Sequence, residues 1–132
     1  MVRTVDTRFL LLHLLADTDD LKSRTRSKMI ELRQEAAIVP TIVLHEMYKL
    51  VFQRFGRDNA DTQLKSIETS GLKVEDLTVD IARIAAVLRC KYLDLPVANS
   101  IIAATSIVKG SKIVFSDDEQ FAKVKEIKTE WL

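Results

Sequence analysis

Short apolar runs alternate with longer helix-forming segments along the whole chain, and this alternation limits the fold more than any other feature. Val2 to Val5, Ala37 to Val39, Leu72 to Val74 and Ile113 to Phe115 have the length and mainly apolar character of short strands. Ile127 and its neighbours are placed as a last strand. Between them the pattern predicts helices from Thr7 through Ala16, Leu21 through Arg33, Thr41 to a stop at Gly56, and Arg57 through Ser70 with Gly71 as its stop. Further helices are expected from Thr78 through Tyr92, from Ala98 through Lys109 with Gly110 closing it, and briefly from Glu119 to Lys123. Strands separated by helices pair in parallel through right-handed crossovers. The expected fold class is therefore α/β, a three-layer α/β/α sandwich with a central parallel sheet and a ligand crevice at the strands' carboxyl ends.

The length of 132 residues suits one domain spanning residues 1–132. A chain of this size buries roughly two thirds of its unfolded surface, enough for a three-layer core. Twenty Lys and Arg against nineteen Asp and Glu give a formal charge of +1, so any case for nucleic-acid binding must rest on local patches. Cys90 is the only cysteine, which excludes an intramolecular disulfide and a cysteine-rich zinc site; its expected place is as a small buried hydrophobe in a helix. The run from Phe9 to Ala16 resembles the apolar part of a signal peptide, but Asp6 lies in the supposed basic region and His13 interrupts it. No stretch approaches the roughly 18 apolar residues of a membrane span, so a cytoplasmic location is expected.

Four polar residues, Asp6, Glu46, Asn99 and Asp118, fall where an apolar strand or helix ends or a turn begins. Acids that meet at one edge of a parallel sheet can hold a hard divalent cation such as Mg2+, which takes oxygen ligands and keeps several waters. Each has a plainer reading alone. Asp6 and Asp118 suit helix caps, Glu46 a surface pair with Lys49, and Asn99 the start of an apolar helix. Asp94 and Asp117 are the nearest acids that could compensate for the amide at Asn99. His13 and His45 lie on separate predicted helices, and His45 is turned about 100° from Glu46 on an ideal helix, so a structural or surface role is expected for both. Tyr48, Phe52 and Phe55 read as core or subunit contacts, and the basic set from Lys22 to Arg33 as a solvated face. With only three glycines there is no Gly-rich phosphate loop.

The segments V-D-T-R-F-L-L at Val5 to Leu11, P-T-I-V-L-H-E at Pro40 to Glu46, L-P-V-A-N-S-I-I-A-A-T at Leu95 to Thr105 and V-F-S-D-D-E-Q-F at Val114 to Phe121 together resemble the signature segments of PIN domains. They are similar in particular to the VapC-type toxins of prokaryotic toxin and antitoxin pairs. The resemblance implies a PIN-like three-layer fold and a Mg2+- or Mn2+-dependent ribonuclease, an endonuclease that hydrolyses RNA phosphodiester bonds with a metal-activated water. It puts Asp6, Glu46, Asn99 and Asp118 at the four acidic positions and Ser116 at the hydroxyl position two residues before the last. The implied partners are an RNA substrate, a cognate antitoxin and a second copy in a homodimer, with no membrane. In most members the third position is Asp. Here Asn99 leaves three carboxylates, which around one divalent cation carry a formal charge of −1, so at most one tightly held metal is expected. An amide can offer a carbonyl oxygen but cannot act as a general base. The alternative is therefore a catalytically silent PIN-like module that binds RNA or protein.

Overall fold

The computed structural model describes residues 2–132. In chain order the elements are β1 (Thr4–Val5), α1 (Thr7–Leu15), α2 (Asp19–Gln34), β2 (Ile38–Pro40), α3 (Thr41–Phe55) and α4 (Arg57–Glu68). There follow β3 (Lys73–Glu75), α5 (Val79–Lys91), α6 (Val97–Val108), β4 (Ile113–Phe115), α7 (Glu119–Ala122) and β5 (Lys128–Glu130). The five strands form one sheet in the order β3-β2-β1-β4-β5, and every pair is parallel. Helices α1 to α4 pack among themselves, while α5, α6 and α7 form a second group that covers the other face. The expected three-layer α/β/α architecture is the one observed.

The topology fixes where a site can form. From β1 the chain winds outward through β2 to β3, then returns to the opposite side of β1 for β4 and β5. The crevice of such a sheet opens where the winding direction reverses, outside the carboxyl ends of β1 and β4. Register brings those ends level: Thr4 pairs with Val114 and Val5 with Phe115, so Asp6 and Ser116 leave the sheet side by side.

Local chemistry sets the helix starts. Thr18 caps α2 by accepting from the Leu21 N–H, and Thr78 caps α5 by accepting from the Ile81 N–H. Gly56 ends α3 and begins α4 with φ at +90°, a left-handed conformation that glycine adopts without a Cβ penalty. The core fills with Val5, Phe9, Leu32, Val39, Val114 and Phe115, all fully buried. Trp131 stacks on Phe115 at 5.2 Å and meets Phe9 edge-on at 6.3 Å, closing one side of this cluster.

Two expectations need correction, at β1 and at Cys90, while the last strand falls among the neighbours of Ile127 as expected. Pairing in β1 begins at Thr4 rather than Val2, which is exposed. The last strand is Lys128–Glu130, with Ile127 buried just before it; its charged residues and those of β3 guard the two sheet edges against pairing with another chain. Cys90 is exposed. Helix α5 buries the stripe Ile81, Ala85 and Leu88, and a residue two positions beyond Leu88 is rotated about 200° from it, onto the solvent face. Among the described residues no helix is long and apolar enough to cross a membrane.

Candidate functional site

Asp6 stands directly after β1, where its carboxylate also caps α1. It is 5% exposed. Oδ1 accepts the Thr7 N–H at 2.7 Å and Oδ2 accepts the Ser116 hydroxyl at 2.6 Å. Ser116 follows β4 and its Oγ also accepts the Asp118 N–H at 3.0 Å. Asp118 is the N-cap of α7, with Oδ1 accepting from the Gln120 N–H at 3.0 Å. Its Oδ2 accepts from the Asn99 Nδ2 at 3.0 Å. On the other side of Asp6, the Thr7 hydroxyl donates to Glu46 Oε1 at 2.7 Å.

These bonds join the sequence-predicted residues into one network that runs from Glu46 through Thr7, Asp6, Ser116 and Asp118 to Asn99. Glu46 comes from the second turn of α3 and Asn99 from the first turn of α6, helices of opposite layers that touch each other. The cap roles of Asp6 and Asp118 and their place in the network hold together. Asn99 is not a cap: Pro96 holds that position, and the Asn99 side chain reaches Asp118 instead of the helix backbone. Glu46 pairs with Thr7 and forms no ion pair with Lys49 among the described residues.

Electrostatics single out Asp6. Burial raises its pKa from the ordinary carboxylate value, the hydrogen bonds from Ser116 and Thr7 pull it partly back, and the charges of Glu46 and Asp118 push it up again. Three carboxylates therefore converge closely enough for the buried one to feel the other two. Ser116→Ala is expected to cost about 1 to 3 kcal/mol of stability, because it removes one bond to Asp6 and leaves the Asp118 N–H without its acceptor. Thermal unfolding checks this.

Among the described residues no three His, Cys, Asp or Glu side chains are gathered into a ready-made metal cage. Asp6, Glu46 and Asp118 are linked through Thr7 and Ser116, and the Asn99 amide bonds one oxygen of Asp118. The donor set still fits a hard cation. Mg2+ is commonly held by one or two carboxylates plus waters, and the like charges around Asp6 are of the kind a cation relieves.

Sequence reasoning missed Thr7 as the link to Glu46, and it missed Arg8. Nη1 of Arg8 lies 3.2 Å from Asp117 and Nε lies 4.0 Å from Asp118 Oδ2. Asp117 thus turns to Arg8, and Asp94 makes no hydrogen bond to the site among the described residues. The signal for Thr7 and Arg8 was their position next to Asp6 at a helix start, where side chains of the first turn face the strand ends. His13 bonds Thr25 at 3.1 Å and stacks on Phe9, a structural role; burial, then Arg33 and Arg26, lower its pKa. Of the basic set in α2, Lys28 pairs with Glu31, and none pairs with a site carboxylate among the described residues. Phe52 and Phe55 are partly exposed, whereas Tyr48 packs against the core and bonds Asp61.

Comparison with known proteins agrees with this fold. VapBC2 from Rickettsia felis, solved bound to a DNA fragment from its promoter, contains a chain similar in fold at a TM-score of 0.81 and 15% identity, covering 100% of this chain and 99% of that one. A toxin-antitoxin complex from Klebsiella pneumoniae matches at a TM-score of 0.67 and 18% identity, covering 95% and 94% of the two chains. At these identities the likeness is one of fold. No curated protein matches the chain. The family model of the PIN domain matches residues 4–127, a span that holds Asp6, Glu46, Asn99, Ser116 and Asp118, and the chain belongs to the PIN domain family.

Proposed function

We propose that this protein is a VapC-type, metal-dependent ribonuclease that cuts RNA internally, with Asp6, Glu46 and Asp118 holding Mg2+ or Mn2+ and Asn99 beside them. The observation that carries this is the hydrogen-bonded chain that links Glu46 through Thr7, and Asp118 through Ser116, to the buried Asp6 at the point where the sheet's winding reverses. A divalent cation bound there supplies activation of a water and neutralisation of charge on the phosphodiester. The chain's own residues prepare the site. Thr7 aims Glu46, Ser116 fixes the Asp6 carboxylate and the Asp118 backbone together, and the α7 N-terminus orients Asp118.

The bond from Asn99 to Asp118 favours a second reading, a silent module that binds RNA or protein, because that amide holds an oxygen otherwise open to a ligand. An antitoxin partner is part of the first reading. The two solved structures named above are toxin-antitoxin assemblies, and between α1 and α3 lies an apolar groove of about 390 Å3 lined by Leu11, Leu14, Leu15, Leu50, Val51 and Phe55. Homodimerisation belongs to the same proposal.

Incubating the protein with a structured RNA in Mg2+, in Mn2+ and in EDTA tests the function. Internal cuts are expected with either metal and none in EDTA. Intact RNA under all three conditions would overturn the enzyme reading.

A further inference from the structure

We infer that Arg8 holds a phosphate of the RNA at the edge of the acidic site, as a substrate-positioning residue; the inference rests on the proposed RNA-binding role of that site. Among the described residues Arg8 is the only basic side chain ion-paired to the carboxylates around Asp118. It projects from the first turn of α1, two residues after Asp6, and its charge interacts with Asp118, Asp117 and Asp6. An RNA strand approaching Asp6, Glu46 and Asp118 meets three carboxylates, and one divalent cation leaves a formal charge of −1 against a polyanion. Asp117 adds one more negative charge beside the site, and the guanidinium offsets it, keeping the balance at −1 instead of −2; its planar fork suits two phosphate oxygens at once.

The present partner of Arg8 is easily exchanged. The side chains of Arg8 and Asp117 are 54% and 46% exposed, so their pair is a solvated surface contact of the kind that contributes little to folding. A phosphate can take the place of Asp117 while Asp117 returns to water. Asp118 Oδ2, 4.0 Å from Nε, adds a weaker attraction from the side of the site. Asp117 then acts as a competitor of the substrate for Arg8.

The test uses the full chain, a short fluorescein-labelled single-stranded RNA, and Ca2+ in place of Mg2+ to hold off cleavage. Affinity is read by anisotropy across a range of salt. Arg8→Ala is expected to weaken binding about tenfold and to lower the slope of log affinity against log salt by about 0.7, the loss of one phosphate contact on a single strand. Arg8→Lys is expected to recover the slope. Asp117→Asn is expected to bind RNA as well as the unmodified chain or better. Melting temperature and Mn2+ affinity are expected not to fall in Arg8→Ala, whereas a structural role would lower them together with RNA affinity. An unchanged salt slope in Arg8→Ala, or equal losses in Arg8→Ala and Asp117→Asn, would overturn the role of Arg8 while leaving the RNA-binding reading in place. Failure of the unmodified chain to bind RNA would overturn both.

Discussion

Replacing Asp6 with Asn is expected to lower RNA cleavage by at least about 10³-fold and to raise the melting temperature of the metal-free protein at neutral pH. The first effect follows from losing the innermost carboxylate of the site, since metal assistance contributes several kcal/mol and each 1.4 kcal/mol is about tenfold in rate. The second follows from the electrostatics. Burial and the neighbouring Glu46 and Asp118 hold the Asp6 pKa above its ordinary value, so the folded protein binds that proton more tightly than the unfolded chain does. Stability from this group is then present at low pH and declines as pH rises from the unfolded value through the folded one. A neutral amide escapes that decline, and its NH2 can donate to the Ser116 oxygen that now donates to Asp6. The difference in melting temperature should open across this window and close below it. Added metal should reverse the order: the unmodified chain gains about 2.7 kcal/mol at a hundredfold excess over Kd, and the variant much less. Thermal scans across pH, with and without Mn2+, check both signs.

Asn99→Asp is expected to raise cleavage by about 10- to 100-fold, the scale on which ligand-orienting groups act. The amide now donates to Asp118 Oδ2 at 3.0 Å. A carboxylate in its place cannot donate when ionised, and two such charges about 4 Å apart repel by roughly 4 kcal/mol at an effective dielectric near 20. The metal-free variant should therefore be less stable than the unmodified chain at neutral pH and should retain a proton on the pair. A cation removes that strain and gains a further ligand. The variant should show a larger rise in melting temperature with Mn2+, a tighter Mn2+ affinity by calorimetry and faster cutting, all three together.

Much of this architecture can be read from the sequence because its signals are local. The stops at Gly56 and Gly110, the helix start at Thr78, and the apolar strands each follow from residues a few positions apart. The four polar positions are legible for the same reason: each falls where an element begins or ends. What escaped is long-range. No spacing rule tells that the Thr7 hydroxyl meets Glu46, 39 residues away, or that Arg8 reaches Asp117 across 109 residues. Cys90 failed for another reason. A base rate for free cysteines stood in for the helical phase of α5, and the phase, set by Ile81, Ala85 and Leu88, turned it outward.

The most direct measurement compares single-turnover cleavage of one structured RNA by the unmodified chain and by Asn99→Asp, each at saturating Mn2+ and again in EDTA. The expected result is metal-dependent internal cutting by both, faster in the variant, with EDTA silencing each. Cutting by the variant alone would identify a fold whose site is closed by Asn99 and would favour the silent module for this chain. If neither protein cuts the RNA in excess metal, the convergence of Asp6, Glu46 and Asp118 is not a ribonuclease site, and the proposed function is wrong.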